Sequence, residues 1–195
     1  MNAKLFNTLY TDVMKMLREN LPENLFYHAP EHTMDVVASA ERIAIGENCS
    51  DKEILLLKIA ALFHDTGYIR DMREHEKHGC MIAGEILPEY EVSNEDLEII
   101  CGLIMATKVP QQPKSKLEEI ICDADLDYLG RDDYFSIAEN LHKEFLAFEK
   151  VKDARDWVQL QLNFLQSHKY FTRTCISLRQ PVVDENLKKI REAVL

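Results

Sequence analysis

Apolar residues recur along most of the chain at intervals of three and four, and no stretch of strict alternation is bounded by turn signals. That periodicity predicts an all-helical protein. A first helix is expected over 3–19, ended by Leu21-Pro22, because the residue before a proline is pushed out of the α region. A second starts at Pro30, whose missing N–H costs nothing at a first helical position, and stops near Gly46. Val36, Val37, Ala40, Ile43 and Ala44 form its apolar face. Ser50-Asp51-Lys52-Glu53 has the form of a capping box. The run 54–63 behind it is apolar nearly all round, so it is the expected buried central helix, closed by His64-Asp65 with Gly67 as breaker. Further helices are predicted over 78–87, 94–107, 116–129, 133–148, 153–166 and 185–193. The aromatic and leucine stripes of 133–148 and 153–166 read as core. Segment 170–183 is ambiguous, with helix preferred because no strand is available to pair with it. Two polar segments, 70–78 and 108–116, read as solvated loops.

Composition narrows the class. The chain has 195 residues, 46% hydrophobic and 29% charged, enough for one compact domain that folds by burial alone. Lys plus Arg number 23 against 34 Asp plus Glu, a formal charge of −11, which is the wrong sign for gripping duplex nucleic acid through its phosphates. The run 54–63 is far shorter than the roughly 20 apolar residues that span a bilayer, so no membrane segment is expected. The first residues contain no apolar stretch of the secretory kind, and the five cysteines include no C-x-x-C pair, so a cytoplasmic location and reduced thiols are expected.

The candidate chemistry lies in three places: His28 and His32 around the start of the second helix, the pair His64-Asp65, and Asp123 and Asp125 in Cys122-Asp123-Ala124-Asp125-Leu126. Each falls at a predicted helix end or first turn. Imidazole and carboxylate without thiolate form a ligand set for hydrolytic divalent metals: Mn²⁺, Fe²⁺, Co²⁺, Ni²⁺, Mg²⁺ or Zn²⁺. His28 lies in the loop before Pro30 and His32 inside the first turn, so the two need not have equal roles, and one can handle protons.

The order His32, His64-Asp65, Asp125, with the flanking runs Ala60-Ala61-Leu62-Phe63 and Ala124-Asp125-Leu126, resembles the H…HD…D signature of the HD superfamily of metal-dependent phosphohydrolases. The resemblance covers about 25–130. It implies an HD-domain helical bundle, here a single domain over 1–195 with additional C-terminal helices from about 131, and His32, His64, Asp65 and Asp125 as metal ligands. Tyr27-His28-x-x-x-His32-x-x-Asp35 and Ala124-Asp125-Leu126 are also similar to motifs of cyclic-nucleotide phosphodiesterases, in which the histidine matching His28 protonates the leaving oxygen. The Asp-His-Pro-Gly stretch that follows HD in that branch is replaced here by Thr66-Gly67-Tyr68. Two-metal branches carry further histidines between HD and the last Asp; His78 matches the first, and the second falls near Thr107, which favours one ion over two.

The resulting expectation is a phosphohydrolase of a nucleotide or similar small anionic phosphate ester. A metal-activated water attacks phosphorus, Asp65 orients it, and His28 acts as general acid. His75 and His78 are the expected substrate-binding residues, and Asp123 and Glu31 are candidates to brace a ligand imidazole. Two alternatives are a regulatory HD protein that binds nucleotide without turnover and a di-iron oxygenase.

Overall fold

The computed structural model describes residues 3–194, among which there are ten α-helices, three short 3₁₀ turns and no strand. The helices are α1 (Ala3–Asn20), α2 (Pro30–Gly46), α3 (Asp51–Phe63), α4 (His75–Ile86), α5 (Asn94–Ala106), α6 (Lys116–Asp125), α7 (Tyr134–Ala147), α8 (Ala154–Ser167), α9 (Arg173–Leu178) and α10 (Gln180–Val194). No described helix is long and apolar enough to cross a membrane. All five cysteines are unpaired.

The α3 helix is the central rod. Ser50 accepts from the Glu53 N–H and the Glu53 carboxylate accepts from the Ser50 N–H, which satisfies two of the first-turn donors. Leu57, Ile59, Ala60, Leu62 and Phe63 are shut off from solvent. Its neighbour α2 presents Ala40 and Ala44 toward the core, and α3 presents Ala60 and Ala61, so small side chains sit where these helices pack. The elements α5 and α6 close the bundle around α3.

Several boundaries depart from the sequence expectation. The helix predicted over 116–129 ends at Asp125 and continues as a 3₁₀ turn, Asp127–Gly130, so Asp125 sits at a helix terminus. The helix α4 begins three residues early, at His75, after Glu74 adopts a left-handed conformation. Much of the expected solvated loop over 70–78 is therefore helix. Gly67 does not act as a left-handed breaker, since no glycine has positive φ. It lies in the 3₁₀ turn Thr66–Ile69 under α4, where an added Cβ would meet the His75 carbonyl oxygen at 1.8 Å. Its function is close approach of two backbones. The last helix starts at Gln180, before the expected residue 185.

The C-terminal third is fastened to the bundle. Asp123 accepts from the N–H groups of Phe171 and Thr172 and from the Thr172 hydroxyl, at 2.7–3.2 Å. It anchors the entry to α9 and braces no ligand imidazole. Asp127, almost fully buried, receives Arg179 at 2.8 Å and Arg42 at 2.7 Å. Tyr170, Cys175, Val183 and Ile190 share one core with α2 and α3.

Candidate metal centre

Three helix ends meet at one point. His32 lies in the first turn of α2, His64 and Asp65 follow the last residue of α3, and Asp125 is the last residue of α6. Two of these ends are C-terminal, where unpaired carbonyls concentrate partial negative charge and favour a cation.

The side chains converge closely. His32 Nε2 stands 3.2 Å from Asp125 Oδ1, 3.5 Å from Asp65 Oδ2 and 3.3 Å from His64 Nε2. His64 Nε2 stands 3.2 Å from Asp65 Oδ2 and 3.4 Å from Asp125 Oδ1. Ligand atoms held about 2.0–2.2 Å from a tetrahedral ion would stand about 3.3–3.6 Å from one another, so the spacing suits one divalent ion. His32, His64 and Asp125 by themselves satisfy the geometry of a three-residue metal site.

Protonation supports the fit. His64 Nδ1 lies 2.7 Å from the Ala61 carbonyl, an acceptor, so Nδ1 carries a hydrogen and Nε2 is the nitrogen turned to the centre. There it faces a second imidazole nitrogen and two carboxylates, and it can hold either a proton or a metal ion. Asp65 Oδ2 is buried and has no hydrogen-bond partner. Burial alone would raise the Asp65 carboxyl, but the adjacent His64 outweighs it and holds Asp65 well below the carboxylate range. Asp125 is likewise raised by burial, yet bonds from His32 and His64 bring it down to about 2. Burial lowers His64, and the two carboxylates more than offset this and lift it well above the usual histidine value. The centre is a buried pair of carboxylates that requires a positive charge between them, whether a proton or an ion.

His28 stands beside this centre, its ring 6.0 Å from that of His32. Its Nδ1 lies 2.5 Å from Glu144 Oε1, and Glu144 Oε2 accepts from the N–H groups of Tyr27 and His28 at 2.9 and 3.0 Å. Burial depresses the His28 pKa, but the bond to Glu144 prevails and raises it. With Nδ1 committed to Glu144, Nε2 is the nitrogen available to the cavity. Sequence reasoning missed Glu144, although it stands in helical phase with Ile137, Leu141 and Phe148 and thus interrupts an apolar stripe with a charge.

The two histidines expected to bind substrate separate. His75 lines the cavity above the centre, its Nε2 3.7 Å from Asp65 Oδ1. Tyr68 packs against both His75 and His28, with ring separations of 4.2 and 4.5 Å, and those two imidazoles lie 6.4 Å apart. His78, one turn along α4, is not among the residues lining that cavity. Thr107 lines it, with its hydroxyl spent on the Ile104 carbonyl, and Glu31 is exposed at the surface.

Residues 31–127 match the HD domain family model. No curated protein matches the chain. A crystal structure of a predicted HD superfamily hydrolase from an uncultured Thermotogales bacterium is similar in fold, with TM-score 0.59 and 21% identity over 95% of this chain and 92% of that one. His32, His64, Asp65 and Asp125 all fall within the matched residues, whereas His28 and Glu144 lie outside them. The chain is an HD-domain protein.

Proposed function

We propose that this protein is a metal-dependent hydrolase of phosphate esters, mono- or diesters of a nucleotide or similar small molecule. The observation that carries the reading is the convergence of four ligand-type side chains beside a fifth, His28, whose charged form is favoured. His32, His64, Asp65 and Asp125 would hold one divalent ion. Such an ion polarises a phosphoryl oxygen and lowers the pKa of water.

The chain's own groups do the rest. Glu144 fixes the tautomer and orientation of His28, so that Nε2–H is the proton offered to the leaving oxygen. Asp65, with Oδ2 turned to the centre, orients the attacking water through its second oxygen. His75 contacts the phosphate, and Tyr68 packs against both the His75 and the His28 rings. His78, away from the cavity, has no part in this scheme. On a chain of net charge −11, Lys108 and Lys150 at the cavity wall offset the repulsion of an anionic substrate. Five unpaired cysteines suit a reducing, cytoplasmic setting, and the shared core suits one domain throughout.

The test is phosphate or alcohol release from a panel of nucleoside phosphates, cyclic nucleotides and simple phosphate esters with Mn²⁺, Co²⁺, Ni²⁺ or Mg²⁺, run beside Asp65→Ala. Turnover that disappears in the variant is the expected result. Metal retention without turnover on any ester would overturn the reading.

A further inference from the structure

The metal centre opens into a cavity of about 510 Å³ whose far half is built by the C-terminal third of the chain. On α7, Tyr134, Ala138, Leu141 and Phe145 recur at intervals of four, three and four and share one face. On α8, Trp157, Leu160 and Phe164 do the same. Both faces line the cavity. The stripes that periodicity assigns to core do belong to it or pack against it, and they also wall a slot leading away from His28 and Asp65.

This slot has little to offer a polar ligand. On α7 and α8 its neutral polar groups are Gln161 and Tyr134, and Gln161 Nε2 donates to the Tyr134 hydroxyl at 3.0 Å. Glu144, on the same helix as Tyr134 and Phe145, is not among the residues lining the cavity and bonds Tyr27 and His28. Lys150 lies 5.0 Å over the Phe145 ring. A sugar and a base edge carry several donors and acceptors, and each one buried here without a partner weakens binding by about 5- to 150-fold. An apolar group gains from the same surroundings.

We infer that the ester taken by this site is a phosphate of an apolar alcohol, alkyl or aryl, whose hydrocarbon part lies between α7 and α8. This deepens the hydrolase reading and rests on it. In the reaction the P–O bond to that alcohol breaks, an oxygen of water bonds to phosphorus, and the leaving oxygen takes a proton, releasing the free alcohol and inorganic phosphate.

The experiment is kcat/KM for n-alkyl phosphates from methyl to octyl and for nucleoside monophosphates, with the metal-loaded protein. Each methylene that enters the slot is expected to raise kcat/KM by about fourfold until the slot is full, and nucleotides are expected to fall below the longer esters. Leu160→Asn, which sets an unpaired amide in the wall, should flatten that rise. Trp157 is the single tryptophan of the chain and lines the slot, so its fluorescence gives a readout free of turnover: octyl phosphonate should shift it saturably and methyl phosphonate should not. Hydrolysis of nucleotides with no dependence on alkyl length and no Trp157 response overturns this inference alone. Release of neither phosphate nor alcohol from any mono- or diester overturns it together with the hydrolase reading.

Discussion

Replacing Glu144 by alanine tests whether the loop before α2 is held from the far side of the molecule. Glu144 is fully buried and joins residues 116 and 117 positions away, through two N–H groups and one ring nitrogen. Orphaning a buried N–H costs about 1–3 kcal/mol, and removing one partner of a buried ion pair costs about 3–5 kcal/mol in total. These figures overlap, because the same desolvated groups are counted in both. E144A is therefore expected to lose about 3–5 kcal/mol, a large share of the roughly 5–15 kcal/mol of a typical domain, and to melt about 10 °C lower. E144Q keeps an oxygen for the backbone donors but sets an amide against His28 Nδ1, and should lose about 1–2 kcal/mol. Urea unfolding followed by circular dichroism at 222 nm, on metal-free protein, gives both numbers. An E144A loss below about 1 kcal/mol, equal to that of E144Q, would refute the idea that this carboxylate fastens the loop.

Other perturbations have equally definite outcomes. Mn²⁺ or Zn²⁺ at a hundredfold its Kd should stabilise the protein by about 2.7 kcal/mol; the gain should vanish in His64→Ala and persist in His28→Ala, as read by thermal melts with and without chelator. Gly67→Ala should destabilise the fold by about 3 kcal/mol or more, because the Cβ meets backbone at 1.8 Å and no rotamer relieves it; a melt within 2 °C of the parent would contradict this. His168, flanked by the Phe164 and Tyr170 rings and with Nε2 unpartnered, is pushed by burial down to about 4. Its neutral form is the one the fold accommodates, so its contribution is complete above about pH 6.5 and is lost as pH falls toward 4, roughly 1–2 kcal/mol by pH 5. His168→Phe should remove that slope from stability measured between pH 7 and 5.

Helices were legible because their signals are local. Pro30 and the Ser50–Glu53 box mark true starts, and the buried character of α3 follows from ten nearly apolar residues in a row. The residues of the candidate metal centre were legible for a related reason: His32, His64-Asp65 and Asp125 stand at helix ends in a fixed order, and the structure brings them together. What spacing along one chain does not encode is which distant faces meet. Glu144 reads as one more surface charge until α7 is laid against the loop carrying His28. Asp123 looks like a partner for a ligand until the structure shows it bonded to residues 171 and 172. The α7 and α8 stripes have the periodicity of core, and period records only that a face avoids water; whether it meets another face or encloses a cavity is decided by how far apart the helices are held. Gly67 shows the same division, since its scarcity value as a breaker was local inference and its packing under α4 was not. The sequence by itself determined most of the elements and the candidate ligand residues, because backbone hydrogen bonding and side-chain chemistry act over a few residues. Tertiary structure alone decided the brace on His28 and the shape of the slot, because those depend on contacts between groups as much as 117 residues apart.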